Sequence, residues 1–336
     1  MKIDFEHRQS AHCETGVTSN LLNFQGINLS EPMVLGIGSG LFFSYIPYIK
    51  LNGNPGSSYR IYPGLIYRRA TRRLGIKTRL VSFRSADAAM KALDENLRKG
   101  IPTGVLTSVY YLPYLPSQYR FHFNAHNIVV FGKEGDEYLV SDPVMEVPTR
   151  IHADDLAKAR FAKGVLAPKG KMYYPISVPS EYALKSALIK GIKHTAKDMI
   201  TIPVPMFGVK GMRKLARDVR NWPVKVGEKK ARLHLGNLVR MQEEIGTGGG
   251  GFRFIYAAFL KEASQILNMP ELNEIGDEFT AVGDRWRDFA LASAKIFKQR
   301  SNATAGYGEA ADIILECADK EEQLFRRIRK LDFPKP

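Results

Sequence analysis

A histidine and a cysteine stand together at the head of "HCETGVTSNLLNF", residues 12–24, and the chain's other cysteine is Cys317. A thiol attacks carbon only as thiolate. An ordinary cysteine ionises near pH 8.5, so it needs a positive neighbour to carry charge at neutral pH. Val17, Leu21 and Phe24, with Leu22 beside them, recur at helical spacing and predict a helix over 15–25. Cys13 falls where that helix begins, and the positive end of the helix dipole favours an anion there. A base must still take the thiol proton and return it to the leaving group.

Of the seven histidines, His126 opens "HNIVVFG", a buried-looking strand, and the following strand "DEYLVSDP" ends at Asp142–Pro143. The two strands join through "KEGD" as a hairpin. In an antiparallel hairpin the start of one strand lies beside the end of the next, so His126 and Asp142 are expected to be neighbours. Asp142 would hold one ring nitrogen and fix the tautomer, leaving the other nitrogen for the Cys13 thiol. Each member also has a plain reading. Cys13 can be a buried small hydrophobe, Asp142 a turn starter before proline, and His126 a satisfied core residue. His122 lacks a comparable acidic partner, and His12 is adjacent to Cys13 along the chain.

The elements that must position these residues read as α+β. Helices are expected at 59–74 and in "SADAAMKALDENLRKG", which has a serine cap and a glycine stop. "KTRLVSF" and "PTGVLTSVYYL" read as strands. From about residue 180 the pattern is helical throughout. Three parts are expected: a catalytic domain over 1–150, a Pro- and Lys-containing linker over 151–178, and an all-helical C-terminal domain over 179–336. Two cysteines make no disulfide framework and point to a reducing compartment. The charged N-terminus does not read as a signal peptide. The uncharged stretches 33–49 and 100–119 are broken by Gly, Ser or Pro, so no membrane span is expected and the protein reads as cytoplasmic. Residues 181–240 hold nine Lys and five Arg against two Asp and two Glu, within a net charge of +15. Such a surface steers an acidic partner. Interleaved aromatics and nucleic-acid motifs are absent from it, so nucleic acid is not expected.

The order of a cysteine at a helix start, a histidine opening a strand and Asp-Pro ending the next resembles the papain-like plan. "GIPTGVL…HNIVVFGKEGDEYLVSDP" is similar to the bacteriocin-processing (double-glycine) cysteine peptidases. "HCETGVTSNLL", "LSEPMVLGIGSGLFFSYI" and "GTGGGGFRFIYAAFL" resemble the butirosin biosynthesis protein H family. "GVKGMRKLARDVRNWP" is similar to that family's helical C-terminal region, so the resemblance covers most of the chain. It implies a papain-like N-terminal domain, a helical C-terminal domain and acyl transfer. Cys13 would take an acyl group, in this family an aminoacyl group, from the phosphopantetheine thioester of an acidic acyl carrier protein. His126 would shuttle the proton, Asp142 would complete the triad, and a small-molecule amine would collect the acyl group. No intrinsic cofactor is implied, since the phosphopantetheine belongs to the donor. The peptidases carry an oxyanion-hole Gln six residues before the cysteine. That position is His7 here, and Gln9 lies four before. The rival readings are a cysteine peptidase or amidase, and a non-catalytic module that binds a carrier protein.

"GIGSG" at 36–40 lacks the third glycine of a dinucleotide fingerprint and reads as a turn near the cleft, with Phe42, Phe43 and Tyr45 as its walls. "GTGGGG" at 246–251 lacks the Lys-Ser/Thr of a phosphate loop, and is read either as a tight turn or as an anion site at the next helix. Tyr110, Tyr111, Tyr114, Tyr119 and Phe121 form an aromatic patch suited to an acyl or acceptor site or to core packing. Cys317 lies on the apolar stripe of Ile314, Leu324, Ile328 and Leu331 and reads as core. No metal-ligand spacing is present.

Overall fold

A computed structural model describes residues 1–51, 53–298 and 303–335. In chain order the elements are α1 (Cys13–Phe24), α2 (Glu31–Ile37), β1 (Leu41–Leu51), β2 (Asn54–Arg60), α3 (Leu65–Arg73), β3 (Lys77–Val81), α4 (Ala86–Arg98), β4 (Thr103–Thr107), β5 (His126–Glu134), β6 (Glu137–Ser141), β7 (Thr149–His152), α5 (Ala153–Arg160) and β8 (Met172–Ser177). Six helices follow: α6 (Leu184–Thr201), α7 (Gly208–Val226), α8 (Glu228–Glu243), α9 (Arg253–Leu267), α10 (Pro270–Phe297) and α11 (Ala303–Lys330). The chain forms two compact units, residues 1–34 with 71–182, and residues 35–70 with 183–336.

The first unit is built on a six-stranded antiparallel sheet of order β3-β8-β4-β5-β6-β7. Strand alternation divides β5 between two faces. Ile128 and Val130 join Leu93 and Leu97 of α4 and Leu156 and Ala159 of α5 in one core cluster. On the other face Phe131 stacks with Phe5, which also meets Phe24 of α1. Val17, Leu21 and Leu22 of α1 are fully buried, each contributing about 1.5–3 kcal/mol relative to exposure. α1 is thereby seated against β5 and β4.

The second unit pairs the β1–β2 ladder with α6 to α11. The amide of Tyr45 donates to Met206 O just before α7. Phe43 packs against Tyr59 and Trp286. Arg253 donates through two nitrogens to Glu321, each at 2.9 Å, and Trp286 Nε1 donates to the same carboxylate, all fully buried.

The boundaries differ from the sequence reading in three places. Residues 151–178 are not a linker: they hold α5 and β8, and β8 sits inside the sheet between β3 and β4. Pro175 within β8 and the nearby lysines mask its strand pattern. Residues 35–70 belong with the helices, so Phe43 and Tyr45 are core residues of the second unit. The helix expected over 59–74 begins only at Leu65, because Pro63 and Gly64 form a turn after β2. Close packing accounts for both glycine motifs. A Cβ on Gly36 would lie 2.1 Å from the Phe259 ring, and one on Gly251 would lie 2.4 Å from the Tyr59 ring.

Candidate active site

Cys13 is the first residue of α1, and the loop before it is pinned by one carboxylate. The amides of Ala11 and His12 donate to Glu31 Oε2 and Oε1 at 3.0 and 2.7 Å, and the Thr15 hydroxyl donates to Oε1 at 2.8 Å. Burial raises the Glu31 carboxyl above its ordinary value, against the pull of those hydrogen bonds. The His12 ring caps the helix by accepting from the Thr15 amide at 3.3 Å. His12 is thus a structural cap.

His126 opens β5, as expected. The ladder pairs Val129 with Ser141, so Asp142 lies one residue beyond the last paired position. Its Oδ2 sits 2.8 Å from His126 Nε2. Oδ2 also accepts from the Tyr114 hydroxyl at 2.9 Å, and Oδ1 accepts from the Val144 amide at 3.2 Å. Asp142 is fully buried and His126 is 6% exposed. A carboxylate only accepts, so these contacts make Nε2 a donor and leave Nδ1 as the second ring nitrogen. Cys13 lies near enough to the ring to raise the His126 pKa as well.

The electrostatics follow from that arrangement. Burial alone would lower the His126 pKa. The charge and hydrogen bond of Asp142, joined by the contact with Cys13, outweigh burial and push it up to about 10. The ring is an imidazolium at neutral pH, beside a sulfur at a helix N-terminus. Both influences favour thiolate. Burial holds the Tyr114 hydroxyl well above its ordinary range, reinforced by Asp142, so Tyr114 stays a donor.

Close approach brings the Asp142 turn to α1. The Ser10 amide donates to Pro143 O at 2.7 Å. A Cβ on Gly16 would lie 2.5 Å from Pro143 Cβ. Gly16→Val is therefore expected to destabilise the fold by about 1–3 kcal/mol, the usual cost of overpacking, in a urea titration. An unchanged midpoint would contradict that contact.

The structure brings Cys13, His126 and Asp142 together and leaves other candidates elsewhere. His122 stacks on Tyr110 at 4.1 Å. His7 meets Ser141 Oγ at 2.7 Å and Met145 O at 3.0 Å, so both ring nitrogens serve the segment around Asp142. Gln9 is exposed. The aromatic patch divides: Tyr110 and Tyr119 are exposed, Tyr111 and Phe121 pack on the sheet core, and Tyr114 holds Asp142. Cys317 is fully buried, and burial raises its thiol far above the ordinary range. Among the described residues no group of His, Cys, Asp or Glu is placed to hold a metal ion, and no helix is long and apolar enough to cross a membrane.

Four residues here escape the sequence reading in these roles: Glu31, Tyr114, Asn127 and Tyr173. Only Asn127 leaves a clear trace, a polar residue inside the apolar run of β5. Its Nδ2 lies 3.7 Å from Cys13 Sγ.

A helix-borne thiol, a histidine and an aspartate thus share the antiparallel-sheet unit of an α+β chain whose second half is helical. Residues 12–143 match the family described as Butirosin biosynthesis protein H, N-terminal, and residues 154–328 match the one described as Domain of unknown function (DUF4872). The chain belongs to the family described as Domain of unknown function (DUF4872), whose match spans just over half of its length, and its N-terminal part is similar to the butirosin biosynthesis protein H N-terminal domain. A crystal structure from Bacillus anthracis, described as a C39-like peptidase, aligns with a TM-score of 0.37 at 15% identity, over 53% of this chain and 98% of that one. No curated protein matches the chain.

Proposed function

We propose that this protein is a cysteine-dependent acyltransferase of specialised biosynthesis. It would move an acyl group from a carrier-bound thioester to an amine. The observation that carries the reading is the Cys13–His126–Asp142 constellation, with His126 Nε2 held 2.8 Å from Asp142 and Cys13 at the start of α1 adding to the upward shift of the His126 pKa. The Cys13 thiolate attacks the thioester carbonyl. The donor C–S bond breaks, and the departing pantetheine thiolate takes the proton from His126. The amine then attacks the acyl-Cys13 carbonyl, the Cys13 thiolate leaves, and His126 takes the amine proton. Each half restores the imidazole for the other, the logic of covalent catalysis.

The donor is inferred to be an acidic acyl carrier protein bearing phosphopantetheine, and the acceptor a small-molecule amine. The similarity of residues 12–143 to a family named for butirosin biosynthesis supports the first step of that reasoning. Charge supports the second. Arg213 and Arg220 of α7 are spent on Asp319, Glu322 and Asp312 of α11. Lys185, Lys190, Lys197, Lys229 and Lys230 remain exposed.

The test is intact-mass analysis of the protein with a synthetic acyl-pantetheine thioester. A one-acyl adduct on Cys13 is expected, absent in Cys13→Ala and discharged faster as a primary amine is added. Discharge at a rate independent of amine would make the protein a hydrolase. No adduct on the wild type would leave only a binding module.

A further inference from the structure

We infer that Asn127 is a further catalytic residue, an amide donor that holds the Cys13 sulfur as thiolate. The inference rests on the reading of Cys13 as the nucleophile. Strand alternation turns Asn127 toward the α1 face of the sheet. There its Nδ2 lies 3.7 Å from Cys13 Sγ and 3.1 Å from Ala125 O. A backbone carbonyl can only accept, so the amide nitrogen must face Ala125 O, and the same NH2 group presents its other hydrogen to the sulfur. The opposite end of the amide is fixed too: the Tyr173 hydroxyl donates to Asn127 Oδ1 at 2.8 Å.

That hydroxyl comes from β8, two strands away from β5 across β4. It reaches Asn127 because the residue paired with Tyr173 on β4 is Gly104. A Cβ on Gly104 would lie 2.6 Å from the Tyr173 ring. Gly104, Tyr173 and Asn127, two of them contributing polar groups and all buried, thus form one support under the sulfur. The thiolate meets an N–H donor and the His126 ring together. The arrangement is complementary to the charged sulfur.

The experiment is the pH dependence of Cys13 alkylation by iodoacetamide, a neutral probe, read by peptide mass so that Cys317 is scored separately. Asn127→Leu and Asn127→Asp remove the donor at similar size, and Asp also adds an acceptor. Both are expected to move the midpoint of the alkylation curve upward by about one pH unit, so that the rate is up to roughly tenfold lower on its acid limb and converges with the wild type at high pH. Tyr173→Phe deletes only the hydroxyl that fixes the amide, and a smaller shift of the same sign is expected. It decides the matter if the Asn127 variants do not fold. A uniform change of rate at every pH, or curves identical to the wild type, overturns the inference and assigns Asn127 to structure alone. The function proposed above fails by a different result: no acyl adduct on the wild-type protein.

Discussion

His126→Ala is expected to slow acylation of Cys13 by about 10²–10⁴, the usual worth of a positioned acid–base group. It should also abolish the fast alkylation of Cys13 at pH 6. The two effects have one origin. In the wild type the ring is an imidazolium up to about pH 10, because Asp142 and Cys13 together overcome burial. That cation stabilises the thiolate before reaction and supplies the proton to the leaving thiolate during it. Alanine removes both and leaves α1 and its N-terminus in place, so a residual advantage over a free thiol should survive. Appearance of the acyl adduct, followed by rapid quench and intact mass, measures the first effect. Alkylation at pH 6 measures the second. Wild-type rates in either assay would mean that the imidazole does not serve the sulfur.

How much of this was readable without coordinates depends on the range of the interaction. Cys13 at a helix start and the β5–β6 hairpin were legible because both are local patterns: helical spacing in α1, and strand–turn–strand around Gly135. His126 and Asp142 came together through that hairpin. Tyr173 was out of reach, because β8 enters the sheet between β3 and β4, and pairings between distant strands leave no mark at fixed spacing. Glu31 carries no local signal of its role, which is to accept from two amides of the loop before Cys13. Phe43 and Tyr45 read as cleft walls for the same reason: the partners of β1 include Met206 and Trp286, more than 150 residues further along. Tyr114 was noticed as an aromatic, but which part of its side chain mattered depended on the position of Asp142.

Asp142→Ala is expected to be the most destabilising single change at the site, by about 3–5 kcal/mol, the cost of removing one partner from a buried ion pair. The substitution strands the Tyr114 hydroxyl and His126 Nε2, both of which now donate to Oδ2. The pH dependence makes the prediction specific. His126 has its folded-state pKa raised to about 10 from 6.5. The stability it contributes is therefore fully present below about pH 6.5 and is lost as pH rises through 10. Without Asp142, burial opposes the charged ring and only the contact with Cys13 supports it, so that loss should shrink by more than half. The comparison is urea unfolding of wild type and Asp142→Ala at pH 6 and pH 9.5. The gap between the two proteins should be wide at pH 6 and narrow at pH 9.5, and a gap independent of pH would show that Asp142 does not hold a proton on His126. Asp142→Asn keeps an acceptor for Tyr114 and removes the charge. It should recover part of the stability at pH 9.5 and little of the acylation rate, because a neutral amide cannot hold His126 as the imidazolium.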